Sequence, residues 1–263
     1  MLKALNHSYR ILGTGFCFVC FGIGGIILSL LVFPAQRLFI RDIEQRKHRA
    51  RHTVHVAFHF FIGLMRRLRI FNFDFSAAEQ LSKAQGQIII ANHPSLIDVV
   101  ALIAMTPNAD CVVKAQLFRN PFMRGVISST GYISNADPDK LLDDCADSLA
   151  KGNNLIIFPE GTRTTPGQPL VFQRGAANIA LRAKRGYLAL HIDCCPSTLT
   201  KQEQWYQVPK IKPGLSIRYL QHIALQTDIE QLSPSLAARQ LTRDLQQFYQ
   251  QVVQQDECTK TRT

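Results

Sequence analysis

The chain has 263 residues and a mass of 29.6 kDa, enough for one generous domain with a sizeable core, and it has no internal repeat or low-complexity tract. Lys and Arg number 30 against 19 Asp and Glu, a formal charge of +11 that implies an anionic partner: nucleic acid, an acidic carrier protein or a phospholipid surface. The seven cysteines are odd in number and lack paired metal-type spacing, which excludes a disulfide framework and reads as free thiols in a reducing compartment.

Residues 11–33, from Ile11 to Phe33, carry no charge and are rich in Gly, Ile, Leu and Phe, long enough to cross or re-enter a bilayer. No small-residue cleavage site follows, so a cleaved leader is disfavoured. Arg37, Arg41, Arg46, Lys47, Arg49 and Arg51 outnumber the cations before the run, so the positive-inside rule predicts the bulk of the protein on the cytoplasmic face, with a bacterial inner membrane expected. Over residues 41–69 the pattern becomes amphipathic, with Val56, Phe60, Ile62, Leu64 and Leu68 among basic clusters; it predicts a helix in the headgroup plane. His48, His52, His55 and His59 recur on this segment without carboxylate or thiol company, so no metal is expected there. Because the charge is concentrated near the predicted membrane segments, no nucleic-acid partner is expected.

Beyond residue 70 the pattern alternates between strand and helix. Strands are predicted at Phe71 to Phe75, Gln87 to Ala91, Cys111 to Val113, Gly131 to Ser134, Leu155 to Phe158, Tyr187 to Ile192 and Leu215 to Leu220. Helices are predicted from Pro94 onward, after Pro121, at Pro138 to Lys151, at Gly175 to Arg185 and at Pro234 to Val253. The fold class is α/β: a mixed sheet flanked by helices, with an N-terminal membrane-anchoring helix pair in residues 1–70 and a second unit in residues 71–263.

Two strand exits hold the chemistry. The first, Asn92-His93-Pro94-Ser95-Leu96-Ile97-Asp98, places a base and an acid five residues apart. A regular helix would rotate them to different faces, so a bent loop must bring Asp98 onto one imidazole nitrogen, leaving the other as a base for a substrate hydroxyl. Turn punctuation with a helix-dipole carboxylate explains the same residues equally well. At the second exit, Phe158-Pro159-Glu160-Gly161-Thr162-Arg163-Thr164, Gly161 permits a tight turn and Arg163 offers a fork for phosphate or carboxylate; pairing between Glu160 and Arg163 is the bland alternative. Lys114 and Arg174, near a strand end and a helix start, are further candidate cations.

Asn92-His93 with Asp98, then Phe158-Pro159-Glu160-Gly161-Thr162-Arg163, then Phe172-Gln173-Arg174-Gly175-Ala176, in this order and spacing, resemble the lysophospholipid acyltransferase family typified by 1-acyl-sn-glycerol-3-phosphate acyltransferases. The resemblance implies His93 as general base, Asp98 orienting it, and the Glu160-Gly161-Thr162-Arg163 turn on the acceptor's phosphate. It also implies an acyl thioester co-substrate, on acyl carrier protein or coenzyme A, with a membrane lipid as acceptor and neither metal nor cofactor. The family's middle motif carries an Arg that Gly131 to Asp137 lacks, so a different lipid alcohol is an alternative acceptor; a non-catalytic lipid-binding protein is the reading from another class.

Overall fold

The computed structural model describes residues 2–226, 229 and 232–261. Its centre is a seven-stranded sheet: β1 (Asn72–Asp74), β2 (Ile88–Ala91), β3 (Ala109–Val113), β4 (Ile133–Ser134), β5 (Asn154–Ile157), β6 (Tyr187–Cys195) and β7 (Gly214–Ile223), in the order β1-β7-β6-β2-β5-β3-β4. β6 and β7 are antiparallel and every other adjacent pair is parallel, so β1 and β7 run against the rest. β6 and β7 are longer than their sequence patterns predict, because their ladder pairs Tyr187 through Cys195 with Ile223 back to Gly214.

β2 is buried on both sides, which is why it reads as an unbroken apolar run without polar alternation. Ile89 and Ala91 face one core with Leu188, Leu190 and Ile192; Ile88 and Ile90 face the other with Leu155 and Ile157. Each buried isoleucine contributes about 1.5–3 kcal/mol of transfer free energy.

The N-terminal run is helical almost without a break: α1 (Leu2–Ile27), a π-helical turn over Leu28–Val32, and α2 (Phe33–Phe39). The wide turn precedes Pro34, whose ring and missing N–H would disrupt a regular α-turn; the Phe33 N–H reaches back five residues to the Leu28 carbonyl instead. Gly125, in α6 (Pro121–Thr130), admits this segment closely, since a Cβ there would strike the Ser29 side chain.

α3 (Ile43–Arg67) starts at Asp42, whose carboxylate caps the Gln45 N–H at 2.7 Å, and ends on Arg66 and Arg67 where the macrodipole favours cations. One face of α3 lies on the domain: Ala50, Val54, Phe61, Ile62 and Met65 share the core of β2 and of α5 (Ile97–Met105), and of the residues predicted for the headgroup plane Ile62 is buried there with Leu64 and Leu68 packed beside it. Arg51 is buried with them and pairs with Asp110 of β3 at 2.8 Å, while Val56 and Phe60 remain exposed. α4 (Ala78–Ser82) lies between β1 and β2. α7 (Pro138–Ala150), α8 (Gly175–Ala183) and α9 (Pro234–Thr261) cover the opposite sheet face. α9 is latched to the centre by the buried Tyr249 hydroxyl, 2.8 Å from the carbonyls of both Ile90 and Leu190.

Candidate active site

β2 and β5 are adjacent and parallel, so the two chemical turns leave the sheet side by side at its carboxyl edge, where open α/β sheets hold their ligands. Asn92 fixes the first exit: its side-chain amide donates to the Ile192 carbonyl at 2.7 Å and its oxygen accepts the Ile192 N–H at 2.8 Å. Pro94 does not open a helix; α5 begins at Ile97, and Asp98 Oδ2 accepts the Ser95 N–H at 2.7 Å across the bend that precedes it.

That loop closes the five-residue gap. His93 Nδ1 lies 3.0 Å from Asp98 Oδ2, and Asp98 is fully buried. Burial pushes the Asp98 carboxyl up from its ordinary range; the hydrogen bond and charge of His93, the Ser95 N–H and the Arg163 guanidinium oppose that shift. Two donors converging on Oδ2 favour the carboxylate, which places the ring proton on Nδ1 and leaves Nε2 with its lone pair. The imidazole stacks on Phe158 at the end of β5, centroids 4.1 Å apart and planes 20° apart, and the side chain is 16% exposed.

The second turn grips the first through backbone. The His93 N–H is shared between Glu160 Oε1 at 3.0 Å and Thr164 Oγ1 at 3.2 Å, and the His93 carbonyl accepts the Thr164 N–H at 2.7 Å. The Thr164 hydroxyl donates to Glu160 Oε1 at 2.7 Å. Glu160 is therefore turned inward, and its burial pushes its pKa up against those two hydrogen bonds. Gly161, at φ +65°, makes the turn that allows this, and Thr162 is half-buried beside it.

Arg163 does not pair with Glu160. Its Nη1 donates to the carbonyls of Leu199 and Thr200, each at 2.9 Å, leaving its other guanidinium N–H groups without a protein partner among the described residues. Lys114 is exposed where β3 ends on the same sheet edge, and Arg174 is exposed as the N-cap of α8, held near the second turn because the Gln173 N–H bonds the Pro159 carbonyl at 2.7 Å. Neither Lys114 nor Arg174 hydrogen-bonds to the His93 and Asp98 dyad.

Sequence reading passed over three contributors: Thr164 as the hydroxyl under His93, Phe158 as its stacking platform, and residues 198–200. Ser95 Oγ donates to the Thr198 carbonyl at 3.0 Å and the Leu96 N–H to the Leu199 carbonyl at 3.1 Å, so one segment ties both turns together. Thr164 and Phe158 end the quoted motif and were readable there; the segment after Cys195 carries no local signal. Among the described residues no three His, Cys, Asp or Glu side chains gather as a metal would require. His55 instead places Nδ1 2.8 Å from the Ile103 carbonyl, beside a cavity of about 380 Å³ that touches neither turn.

A family model described as acyltransferase matches residues 72–198. The chain is 27% identical over 189 residues to a chloroplastic 1-acyl-sn-glycerol-3-phosphate acyltransferase of Brassica napus, covering 68% of this chain and 52% of that protein. A chloroplastic relative from Arabidopsis thaliana with the same activity in its name is 29% identical over 201 residues, covering 72% and 52%. One from Helicobacter pylori is 38% identical over 102 residues, covering 36% and 43%. The chain thus spans about half the length of the curated relatives it matches. The crystal structure of the 1-acyl-sn-glycerophosphate (LPA) acyltransferase from Thermotoga maritima has the same fold, with a TM-score of 0.62 over 96% of this chain and 98% of that one at 19% identity.

Proposed function

We propose that this chain, whose residues 72–198 match the acyltransferase family model, transfers a fatty acyl group from an acyl thioester to the free hydroxyl of a lysophospholipid, with lysophosphatidic acid as acceptor and phosphatidic acid as product. The observation that carries the reading is the His93 dyad: a buried carboxylate on Nδ1, a free Nε2, and a backbone clamped by the neighbouring turn. A protein that only bound lipid would have no use for a base positioned in this way.

In this reading Nε2 takes the proton of the acceptor hydroxyl as the oxygen attacks the thioester carbonyl. The C–S bond then breaks, and the imidazolium returns the proton to the departing thiolate, so the base is regenerated. Asp98 holds the tautomer and stabilises the transient imidazolium. The donor is acyl carrier protein or coenzyme A, and no metal or cofactor takes part. The acceptor phosphate is met by the Arg163 N–H groups that Leu199 and Thr200 leave free, on the turn formed by Glu160, Gly161 and Thr162, with Lys114 and Arg174 as outer cations.

The N-terminal helix supports membrane association. Ala4–Phe39 is long and apolar enough to cross a bilayer, and only 11% of its apolar window is buried. One side docks along the domain, through Ser29 on Gly125 and the Gln36 amide on Thr53 Oγ1 at 2.8 Å, so we place it along the membrane surface with the domain on the cytoplasmic side of a bacterial inner membrane. The division into residues 1–70 as anchor and 71–263 as acyltransferase unit belongs to the same proposal.

A second acceptor class is favoured by two observations: Gly131 to Asp137 contains no Arg, and Nη1 of Arg163 is already engaged. Acyl transfer by purified protein from a labelled thioester to lysophosphatidic acid, beside its phosphate-free analogue and His93→Ala, tests both. Turnover requiring His93 and phosphate supports the first reading; turnover of the phosphate-free acceptor alone supports the second, and turnover by His93→Ala at the normal rate overturns the mechanism.

A further inference from the structure

Between β6 and β7 the chain makes an excursion, residues 196–213, that no motif covers. Its base is bonded to both active-site turns through the carbonyls of Thr198, Leu199 and Thr200. Its outer part lies on α1. The Trp205 ring packs against Gly15, where a Cβ would come within 2.9 Å of the indole, and its centroid is 6.5 Å from that of Phe18. The buried Arg10 guanidinium donates to the Lys210 carbonyl.

Large apolar side chains nonetheless remain exposed here: Trp205 by 45%, Tyr206 by 53% and Ile211 by 73%. Gly15 lies three residues from Leu12 and four from Val19, which with Phe16 belong to an exposed apolar stripe on α1, so the loop broadens that stripe towards the active-site turns. The loop's charge is also one-sided. Lys201, Lys210 and Lys212 stand against Glu203, whose carboxylate is turned inward onto the Thr200 N–H at 3.0 Å. An indole, a phenol and an isoleucine flanked by lysines suit the boundary between hydrocarbon and anionic headgroups, where amphipathic rings partition and cations meet phosphate.

We infer that residues 201–212 form a second membrane contact, distinct from the N-terminal helix. Trp205, Tyr206 and Ile211 enter the headgroup region of an anionic phospholipid surface, and Lys201, Lys210 and Lys212 meet its phosphates. This rests on the membrane-seated reading above and deepens it. Because the loop's base bonds both turns, its seating holds the mouth of the site against the lipid surface from which an acceptor arrives.

Trp205 is the chain's single tryptophan, so its fluorescence reports this loop alone. The full-length protein is mixed with vesicles of phosphatidylethanolamine and phosphatidylglycerol, with or without bromine on the upper acyl carbons, and binding is read separately by flotation. We expect a blue shift and at least about twofold quenching by brominated lipid. Lys210→Glu with Lys212→Glu should weaken binding to anionic vesicles several-fold at low salt and leave binding to zwitterionic vesicles unchanged. Co-flotation without quenching would overturn the loop contact and leave the membrane reading standing; failure to float would overturn both. If the charge reversals spared vesicle binding and weakened only the direct binding of an acidic acyl carrier protein, the lysines would belong to a protein-docking surface and the proposal would fail. Turnover is not read, so the result is independent of the acyl-transfer reading.

Discussion

The carboxylate of Glu160 accepts the backbone N–H of His93 at 3.0 Å, so a residue on one strand exit sets where the base of the other stands. Glu160→Ala should remove that restraint and lower kcat about tenfold to a hundredfold, with the acceptor KM little changed, because small displacements of a reacting group are costly. Glu160→Gln keeps an acceptor oxygen and should recover most of the rate. Steady-state kinetics on both variants check this; a rise in acceptor KM at constant kcat would return Glu160 to substrate binding.

The same carboxyl predicts a stability dependence on pH. Burial raises its folded pKa above 4.5, so between 4.5 and the raised value the folded state holds a proton that the unfolded state has lost. The favourable contribution is complete below that window, and stability falls as pH rises through it, at up to about 1.4 kcal/mol per pH unit. Glu160→Gln cannot ionise. Its melting temperature relative to the parent protein should therefore climb with pH across the window; a constant difference would contradict the raised pKa.

His93→Ala should reduce acyl transfer by about 10²- to 10⁴-fold while vesicle flotation stays unchanged. Asp98→Asn preserves shape but loses the charge that holds the Nδ1 proton, and should fall by a similar order. Asp98→Asn turning over at the parent's kcat would contradict this assignment.

Arg163→Ala should weaken a phosphorylated acceptor, raising its KM about tenfold or more, and leave a phosphate-free analogue less affected. Arg163→Lys keeps the charge but loses the guanidinium N–H groups that remain beside the Nη1 bonds to Leu199 and Thr200. Equal damage to both acceptors by Arg163→Ala would confine the residue to holding the 198–200 segment.

Arg51 and Asp110 form an ion pair in which neither side chain is more than 5% exposed, and the Ser148 hydroxyl also donates to Asp110 at 2.6 Å. Arg51→Ala strands a buried carboxylate and should destabilise the protein by about 3–5 kcal/mol, whereas Arg51→Met with Asp110→Asn should lie much closer to the parent. Thermal melts in detergent read the difference.

Much of the sheet was legible because strand and helix periods are local properties. The all-apolar run of β2 marks burial on both faces, and the position of α7 follows from Asp137 and Pro138, a capping carboxylate and a residue suited to the first helical turn. The start of α5 was misread because Pro94 is equally at home in a loop, and the helix begins only at Ile97.

The sequence by itself determined the residue types at the two turns, the order in which they occur and the faces available on each helix. The tertiary structure alone decided which partners meet. Glu160 lies 67 positions from His93, Leu199 lies 36 from Arg163, and Tyr249 lies 159 from Ile90. It also decided that Ala50, Val54, Phe61, Ile62 and Met65 of α3 rest on protein while Val56 and Phe60 stay exposed, since periodicity specifies that a face must leave water and says nothing of what receives it. Hydrogen bonds between distant strand exits depend on the sheet order, and that order is set by packing the whole chain at once.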